Sequence, residues 1–322
     1  MIASGERCGI ARVPLARTGW SISRLGLGCA SYWARPGFAE KRARAVVETA
    51  LERGIDVFDT GASYGDGFAE RRLARILDAL DVDRDCLLVS TKVGTVTDTR
   101  GRLVKDFRPE RIVAQVEKSL RRLNTDRIAL LQLHGPHIHD LSDELLSTLQ
   151  RLRADGKVAL LGVNGFSEVI EHVTGCGQFD VVMPFISVVQ SGNAGLAQQA
   201  AAAGQGVLAA GPLARMLFAP PLASWLSRPS GLWYLARALA GGAFGLARAQ
   251  RFRKALRAPG WSPAQLALAW VLARPGVSCA VVGTTDPGHL RELADASSRT
   301  LPRAVEQAVA ALGNGATGPR RL

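Results

Sequence analysis

Three short apolar runs in this chain each finish in a group that can work on protons. Ile55-Asp56-Val57-Phe58-Asp59 ends in an acid, and Tyr64 follows in the Gly/Ser-rich loop beyond it. Leu87-Leu88-Val89-Ser90-Thr91-Lys92 ends in a lysine, and Ile128-Ala129-Leu130-Leu131-Gln132-Leu133-His134 in a histidine. Lysine occurs six times in 322 residues and tyrosine three times, so one of each at the end of such runs stands out from background. A phenol has a pKa of about 10, too high for easy proton exchange at neutral pH. A lysine ammonium beside it favours the phenolate and lowers that pKa. An aspartate fixes the lysine and keeps it charged, and a histidine can hydrogen-bond a carbonyl oxygen or assist proton delivery. Together Asp59, Tyr64, Lys92 and His134 make a tuned proton donor inside an oxyanion-stabilising surround. That suits a carbonyl that becomes an alkoxide and takes a proton. No side chain supplies a hydride, so the electron pair must come from a cofactor.

These groups act together only if the fold brings the ends of the runs to one place. Apolar runs at 25–30, 55–59, 87–92, 128–133, 158–163, 180–184, 206–210 and 278–282 alternate with helical patterns at intervals of roughly 25–45 residues, as βα units do. Glu40–Arg53, Pro109–Leu123, Leu141–Arg153 and Ser262–Arg274 each carry one apolar stripe, and Pro109 and Ser262-Pro263 are good helix starts. The pattern predicts an α/β fold, a (β/α)₈ TIM barrel, in which the strand ends form a single mouth. An open doubly wound sheet is the alternative. It requires a Gly-x-Gly-x-x-Gly turn after the first strand, which Leu25-Gly26-Leu27-Gly28-Cys29-Ala30 does not supply. Before the barrel, Val13-Pro14-Leu15 turns at Thr18-Gly19 and returns through Ser21-Ile22-Ser23 as an N-terminal hairpin. The expected organisation is a single domain over 1–312, with an insertion at 216–260 and a Gly/Pro/Arg-rich disordered tail at 313–322.

Composition excludes several classes. The N-terminus lacks the continuous apolar core of a signal peptide, and no uncharged run of about 20 apolar residues offers a membrane span. Five scattered cysteines without metal-like spacing fit a reducing, cytoplasmic setting. The formal charge is +12, and the stretch 181–285 holds eight Arg and one Lys but no acid. Such asymmetry suits an anionic ligand or surface. No nucleic-acid motif accompanies it.

The motifs resemble the aldo-keto reductase family over nearly the whole chain and in the right order. They are Gly54-Ile55-Asp56-Val57-Phe58-Asp59-Thr60-Gly61-Ala62-Ser63-Tyr64-Gly65, Ser90-Thr91-Lys92-Val93-Gly94, Leu131-Gln132-Leu133-His134-Gly135-Pro136, Gly162-Val163-Asn164-Gly165-Phe166, Gly211-Pro212-Leu213-Ala214-Arg215 and Val281-Val282-Gly283-Thr284-Thr285. The resemblance implies Tyr64 as general acid/base, Lys92 as the group that lowers its pKa, Asp59 as support for Lys92, and His134 as the residue that orients the carbonyl. It also implies a nicotinamide cofactor bound in an extended pose. The cofactor-binding candidates are then Asn164, Gly165, Gln190, Gly211, Pro212, Leu213, Arg215, Gly283, Thr284, Thr285, His289 and Glu292. The chain departs from the family where Asn164-Gly165 replaces Ser-Asn, Met183 replaces a Gln, and Gly211 replaces a Ser. Asn164 and Gln190 are the substitutes for holding the nicotinamide carboxamide. Near the 2′-phosphate position the chain offers Thr284, Thr285 and His289 in place of an Arg. NADP(H) is the favoured cofactor and NAD(H) the alternative.

Trp33, in the loop after the first strand, is the candidate substrate-lining residue, with packing against its neighbours as the other reading. His134, His137, His139 and Asp140 share one loop, but the expected metal content is none, because imidazoles in a short loop rarely converge without a structured surround. The stretch 216–260, joining the seventh strand to the seventh helix, carries Arg228, Arg237, Arg248, Arg251, Arg253, Lys254 and Arg257 interleaved with Trp225, Trp233, Tyr234, Phe244 and Phe252. It reads as a basic lid over the cofactor pyrophosphate and an anionic substrate, with packing on the barrel rim as the plain alternative and membrane-surface contact through 232–257 as the lesser one. The expected function is NAD(P)-dependent hydride transfer to or from a small-molecule carbonyl or alcohol, an aldehyde, ketone or sugar-like substrate. The rivals are an NAD-dependent sugar dehydrogenase and a non-catalytic nucleotide-binding regulator. The oligomeric state is left open.

Overall fold

The computed structural model describes residues 9–214 and 250–313. An antiparallel hairpin, β1 (Arg12–Pro14) and β2 (Ser21–Ser23), leads into strand β3 (Leu25–Gly28). Then come α1 (Glu40–Glu52), β4 (Val57–Asp59), α2 (Phe68–Ala79) and β5 (Leu88–Val93). A second hairpin, β6 (Thr95–Thr97) with β7 (Leu103–Lys105), precedes α3 (Pro109–Leu123) and β8 (Ile128–His134). The chain continues through α4 (Asp143–Ala154), β9 (Val158–Gly165), α5 (Ser167–Val173), β10 (Val181–Pro184), α6 (Ala194–Ala202) and β11 (Gly206–Ala210). After the undescribed stretch come α7 (Pro263–Leu272), β12 (Cys279–Val282), α8 (Pro287–Ala296) and α9 (Arg303–Gly313).

Eight parallel strands close into a barrel in the order β3-β4-β5-β8-β9-β10-β11-β12, with β12 pairing back onto β3. This is the predicted (β/α)₈ architecture, and each predicted run overlaps one barrel strand. Because side chains alternate along a strand, each strand feeds two cores. Val57, Leu88, Leu130, Leu160, Val181 and Leu208 face inward, where Leu15 and Ile22 of the first hairpin join them. Phe58, Val89, Leu131, Leu161 and Val182 face outward against the helices, meeting Val46 and Val47 of α1 and Ile112 and Val116 of α3.

The hairpin closes the N-terminal end of the barrel through a buried acid. Asp56, just before β4, accepts the Ser23 backbone N–H (2.8 Å), the Ser23 hydroxyl (2.9 Å) and the Arg12 guanidinium. Among the described residues no helix is long and apolar enough to cross a membrane. The predicted insertion lies outside the described residues up to 249. From 250 the chain is helical to 255, with Phe252 and Leu256 buried in the outer core. The predicted tail lies outside them from 314 onward, while Gly313 belongs to α9.

Candidate active site

The inward positions of β4, β5 and β8 are apolar at the bottom and turn polar toward the C-terminal mouth. Register makes this a shared layer: Val57 pairs with Leu88 and Asp59 with Ser90, while Lys92 pairs with Gln132 and His134 with Asn164. The same alternation that aims Val57 and Leu88 into the barrel therefore aims Asp59 and Lys92 there too. Both are buried, at 4 % and 2 % exposure. The Lys92 ammonium donates to Asp59 Oδ2 at 2.5 Å and to the Thr60 carbonyl at 2.8 Å. It also lies 5.3 Å from the centre of the Tyr64 ring. Tyr64 is half-buried and stands edge-on to the His134 ring, with centroids 5.6 Å apart. The structure thus brings all four sequence-predicted groups together.

Electrostatics follow from this packing. Burial alone disfavours the Lys92 charge, but the Asp59 carboxylate and the Tyr64 phenol, by charge and by hydrogen bonding, outweigh it and raise the ammonium's pKa. Lys92 is therefore held as a cation against the phenol at neutral pH. His134 is driven the other way. Burial first, then the charges of Lys92 and Lys105, depress its pKa from 6.5 to about 3, so the imidazole is neutral. Cys29, buried behind Asp59, has its thiol pKa pushed up by burial and by the Asp59 charge, which makes it an inert neighbour.

Several supporting residues were not singled out in the sequence. Gln132 is fully buried and donates to Asp59 Oδ1 (3.2 Å) and to Ser90 Oγ (2.7 Å), fixing the carboxylate that fixes Lys92. It sits two residues before His134, so β alternation alone placed it on the inward face. Ser63 Oγ lies 3.4 Å from His134 Nδ1. A serine donating there leaves Nε2 as the protonated nitrogen. Lys105 Nζ donates to the His134 carbonyl (2.5 Å) and to Thr95 Oγ1 (3.0 Å), and Thr95 Oγ1 itself donates to that carbonyl (3.2 Å). The second hairpin is thereby hooked onto the end of β8.

The cofactor candidates gather on the other half of the rim, at the ends of β9 to β12. Asn164 is buried and donates through Nδ2 to the Met183 carbonyl at 2.9 Å, and Gly165 ends β9 beside it. Gln190 follows β10 in a short 3₁₀ segment, with its backbone N–H on Ser187. Gly211 turns at φ +62° after β11, which a side chain would resist, and Pro212 and Leu213 complete the turn that Ala214 closes by donating to the Gly211 carbonyl. Arg215 lies outside the described residues. Gly283 is exposed at the end of β12. Thr284 is buried and its hydroxyl is engaged with the Asp286 backbone, while the Thr285 carbonyl accepts Arg42 Nε at 2.7 Å. His289 is exposed on the first turn of α8. Glu292 accepts the Ser262 hydroxyl at 2.5 Å and so helps to cap α7. Arg42, from α1, is the cation that sequence reasoning missed at this end. It also pairs with Asp286 at 2.8 Å.

Trp33 requires a correction. It is 1 % exposed, its indole N–H donates to the Thr284 carbonyl at 2.9 Å, and its ring packs edge-on against Phe38. The buried Arg72 guanidinium holds the same loop through the Trp33 and Phe38 carbonyls and the Glu40 carboxylate. Trp33 therefore packs the first loop onto the last and presents no face to a substrate. Among the described residues, Phe166 is an exposed aromatic group on this rim, 58 % exposed and stacked on Phe185. The rings of His137 and His139 stack on each other, and Asp140 accepts the His137 backbone N–H.

The model of the aldo/keto reductase family matches residues 24–313. An L-galactose dehydrogenase of Arabidopsis thaliana is 32 % identical over 211 residues, which cover 62 % of this chain and 64 % of that protein. A D-threo-aldose 1-dehydrogenase of a Pseudomonas species is 32 % identical over 192 residues, covering 52 % of this chain and 58 % of its own length. The similar segment thus spans less than two thirds of both relatives. Among solved structures, the glycerol dehydrogenase of Gluconobacter oxydans superposes with a TM-score of 0.75 at 26 % identity, over 96 % of this chain and 97 % of its own.

Proposed function

The chain belongs to the aldo/keto reductase family, and from that premise we propose that it is a nicotinamide-dependent oxidoreductase of carbonyls and alcohols with Tyr64 as its general acid/base. One observation carries the reading: a buried ammonium, Lys92, held by Asp59 and set 5.3 Å from the centre of the Tyr64 ring. A structural ion pair would not need a half-exposed phenol at its open side. The rim at β9 to β12 fits a dinucleotide by its donor set. It offers the Asn164 and Gln190 amides, the exposed Gly283, the Thr285 hydroxyl, His289 and the Arg42 guanidinium, and the chain has no acid between 181 and 285 to repel a pyrophosphate. When bound there, the nicotinamide supplies or accepts the hydride.

The chain's own groups handle the proton. In reduction, Tyr64 gives its phenolic proton to the oxygen that gains negative charge, and the Lys92 cation stabilises the phenolate left behind. Asp59, fixed by Gln132, holds that cation in place. Neutral His134 donates Nε2–H to the same oxygen, with the tautomer set by Ser63 at Nδ1. In oxidation the same groups act in reverse, and the phenolate takes the alcohol proton.

NADP(H) is the proposed form, because Arg42 provides the guanidinium that the sequence motif lacks beside Thr284, Thr285 and His289, and guanidinium suits a phosphate. One catalytic domain in a reducing, cytoplasmic setting agrees with the free thiols of Cys29, Cys176 and Cys279. A second reading, oxidation of a sugar hemiacetal with NAD, is favoured by the two relatives named as sugar dehydrogenases. Fluorescence titration with NADPH and NADH, followed by turnover of a carbonyl and alcohol panel in both directions, separates the two. In the same assay Tyr64→Phe should keep its cofactor affinity and lose turnover by at least about a hundredfold. Near-normal turnover in that variant removes Tyr64 from the mechanism.

A further inference from the structure

The backbone that carries Tyr64 takes an unusual course just beyond it. Gly65, Asp66 and Gly67 all lie in the left-handed region, at φ +60°, +49° and +73°. Such a run, with a non-glycine in its middle, persists only where its surroundings over-determine it.

Two supports come from β5, the strand that carries Lys92. Before the phenol, the Ala62 N–H donates to the Lys92 carbonyl at 3.0 Å. After it, Glu70 in the first turn of α2 accepts the Thr91 hydroxyl at 2.6 Å. Glu70 is wholly buried, and a buried carboxylate needs a cation as well as a hydrogen bond. That cation is Arg122, near the end of α3. Its Nη1 meets Glu70 Oε2 at 3.4 Å, and its Nη2 meets Asp66 Oδ1 at 3.1 Å. One guanidinium thus bridges the middle of the left-handed run and the helix that follows. Gly67 packs against it between the two acids. A Cβ at that position would fall 2.3 Å from Arg122 Cζ, so the glycine is needed for its missing side chain as well as for its backbone angle. Attachment of α2 to α3 requires only the Glu70 contact. The further hold on Asp66 and the fit under Gly67 act on the loop itself, two and three residues from Tyr64.

We propose that Arg122 is a positioning residue for Tyr64: by clamping residues 65–70 against β5 it holds the phenol over the Lys92 ammonium. The proposal rests on the oxidoreductase reading above and adds to it a residue of the outer helical layer. Arg122 acts through the loop and not on the reacting atoms.

The test uses the full-length protein and the carbonyl substrate that the wild type turns over best. Arg122→Ala and the pair Glu70→Gln with Arg122→Met are measured for kcat, KM, cofactor affinity by fluorescence titration, and thermal unfolding. The paired variant leaves no carboxylate stranded in the interior, and its amide can still accept the Thr91 hydroxyl. Arg122→Ala should lower kcat by about tenfold and leave KM and the cofactor Kd within about twofold, because a small displacement of the acid acts on turnover more than on binding. The paired variant should unfold at a higher temperature than Arg122→Ala and still lose kcat by about tenfold. Added to Tyr64→Phe, either change should slow turnover by less than about twofold more, since no phenolic proton is left to place. If Arg122→Ala fails to fold, the paired variant and its combination with Tyr64→Phe decide. A wild-type kcat in Arg122→Ala, a kcat that returns with stability in the paired variant, or the same loss again on top of Tyr64→Phe would overturn the clamp and leave the oxidoreductase reading standing. A wild type that turns over no carbonyl or alcohol with either cofactor would remove the oxidoreductase reading, and the clamp with it.

Discussion

His134 shows how much a single side chain owes to its neighbours. With a pKa depressed to about 3, it stays neutral across the physiological range. A neutral imidazole donates to a carbonyl oxygen without a proton to lose. The sign for stability follows. Between about pH 6.5 and about pH 3 the unfolded imidazole binds a proton that the folded one refuses, so this site's contribution falls as pH is lowered through that window and is full above it. NMR should find a His134 signal that does not titrate between pH 5 and pH 8, and a midpoint near 6.5 would contradict the packing described here. Arg42 carries a second prediction at this scale. Arg42→Ala should lower kcat/KM with NADPH by about tenfold and leave NADH nearly unchanged; the loss is moderate because Asp286 already shares that guanidinium. Legibility at this scale depended on position along a strand. Asp59, Lys92 and His134 could be read because each is a polar group at the end of a greasy run. Gln132, inside such a run, was not singled out, although β alternation put it on the Asp59 side. Trp33 was misread because nothing local in Ser31-Tyr32-Trp33-Ala34 indicates that its indole N–H finds the Thr284 carbonyl, far along the chain. Arg42 was missed for the same reason.

Elements differ in how plainly the sequence declares them. The barrel strands were legible because burial on both faces demands unbroken apolar runs. The helices over Pro109–Leu123 and Glu40–Glu52 were legible because polar and apolar residues recur at helical spacing. Ala194–Ala202 is Ala- and Gln-rich with little contrast between its faces, and the β6–β7 hairpin is made of three-residue strands, so neither was singled out. That hairpin nevertheless holds the His134 carbonyl through Lys105 and Thr95. Lys105→Met should raise the His134 pKa toward its ordinary value and lower kcat by a few-fold with little change in KM, whereas Lys105→Arg should retain most activity. An unmoved His134 titration in Lys105→Met would remove Lys105 from this role. Strand β4 offers a contrast between its two ends. Asp56 serves the hairpin plug at the bottom and Asp59 serves Lys92 at the mouth. Asp56→Ala strands buried donors at Ser23 and should cost about 1–3 kcal/mol of stability with kcat preserved. Asp59→Asn keeps the shape and should mainly reduce turnover. Loss of turnover in Asp56→Ala at a temperature where it remains folded would show the two ends to be coupled.

Across the whole molecule, chemistry and charge are divided around the ring. The proposed proton-handling groups come from β4, β5 and β8, the cofactor candidates from β9 to β12, and the acid-free stretch 181–285 covers most of that second half. A cofactor with a charged pyrophosphate is the anion this half would attract, whereas a simple aldehyde or ketone is neutral. The two ligands should therefore respond differently to charge. The described end of the predicted basic insertion is informative here, because Phe252 and Leu256 are buried in the core while Arg251 is exposed and Arg253 half-buried. Packing in the outer core fixes this end of the segment and leaves Arg251 in solvent. Reversing both charges, Arg251→Glu with Arg253→Glu, should raise the KM for NADPH several-fold at low salt and leave the KM for an uncharged carbonyl substrate unchanged. The difference should shrink toward 0.5 M salt, where the Debye length falls to about 4 Å. If neither constant moves at low salt, the insertion serves packing alone. If the constant for the uncharged substrate rises with that of the cofactor, the effect is on the fold of the segment and not on the field it makes.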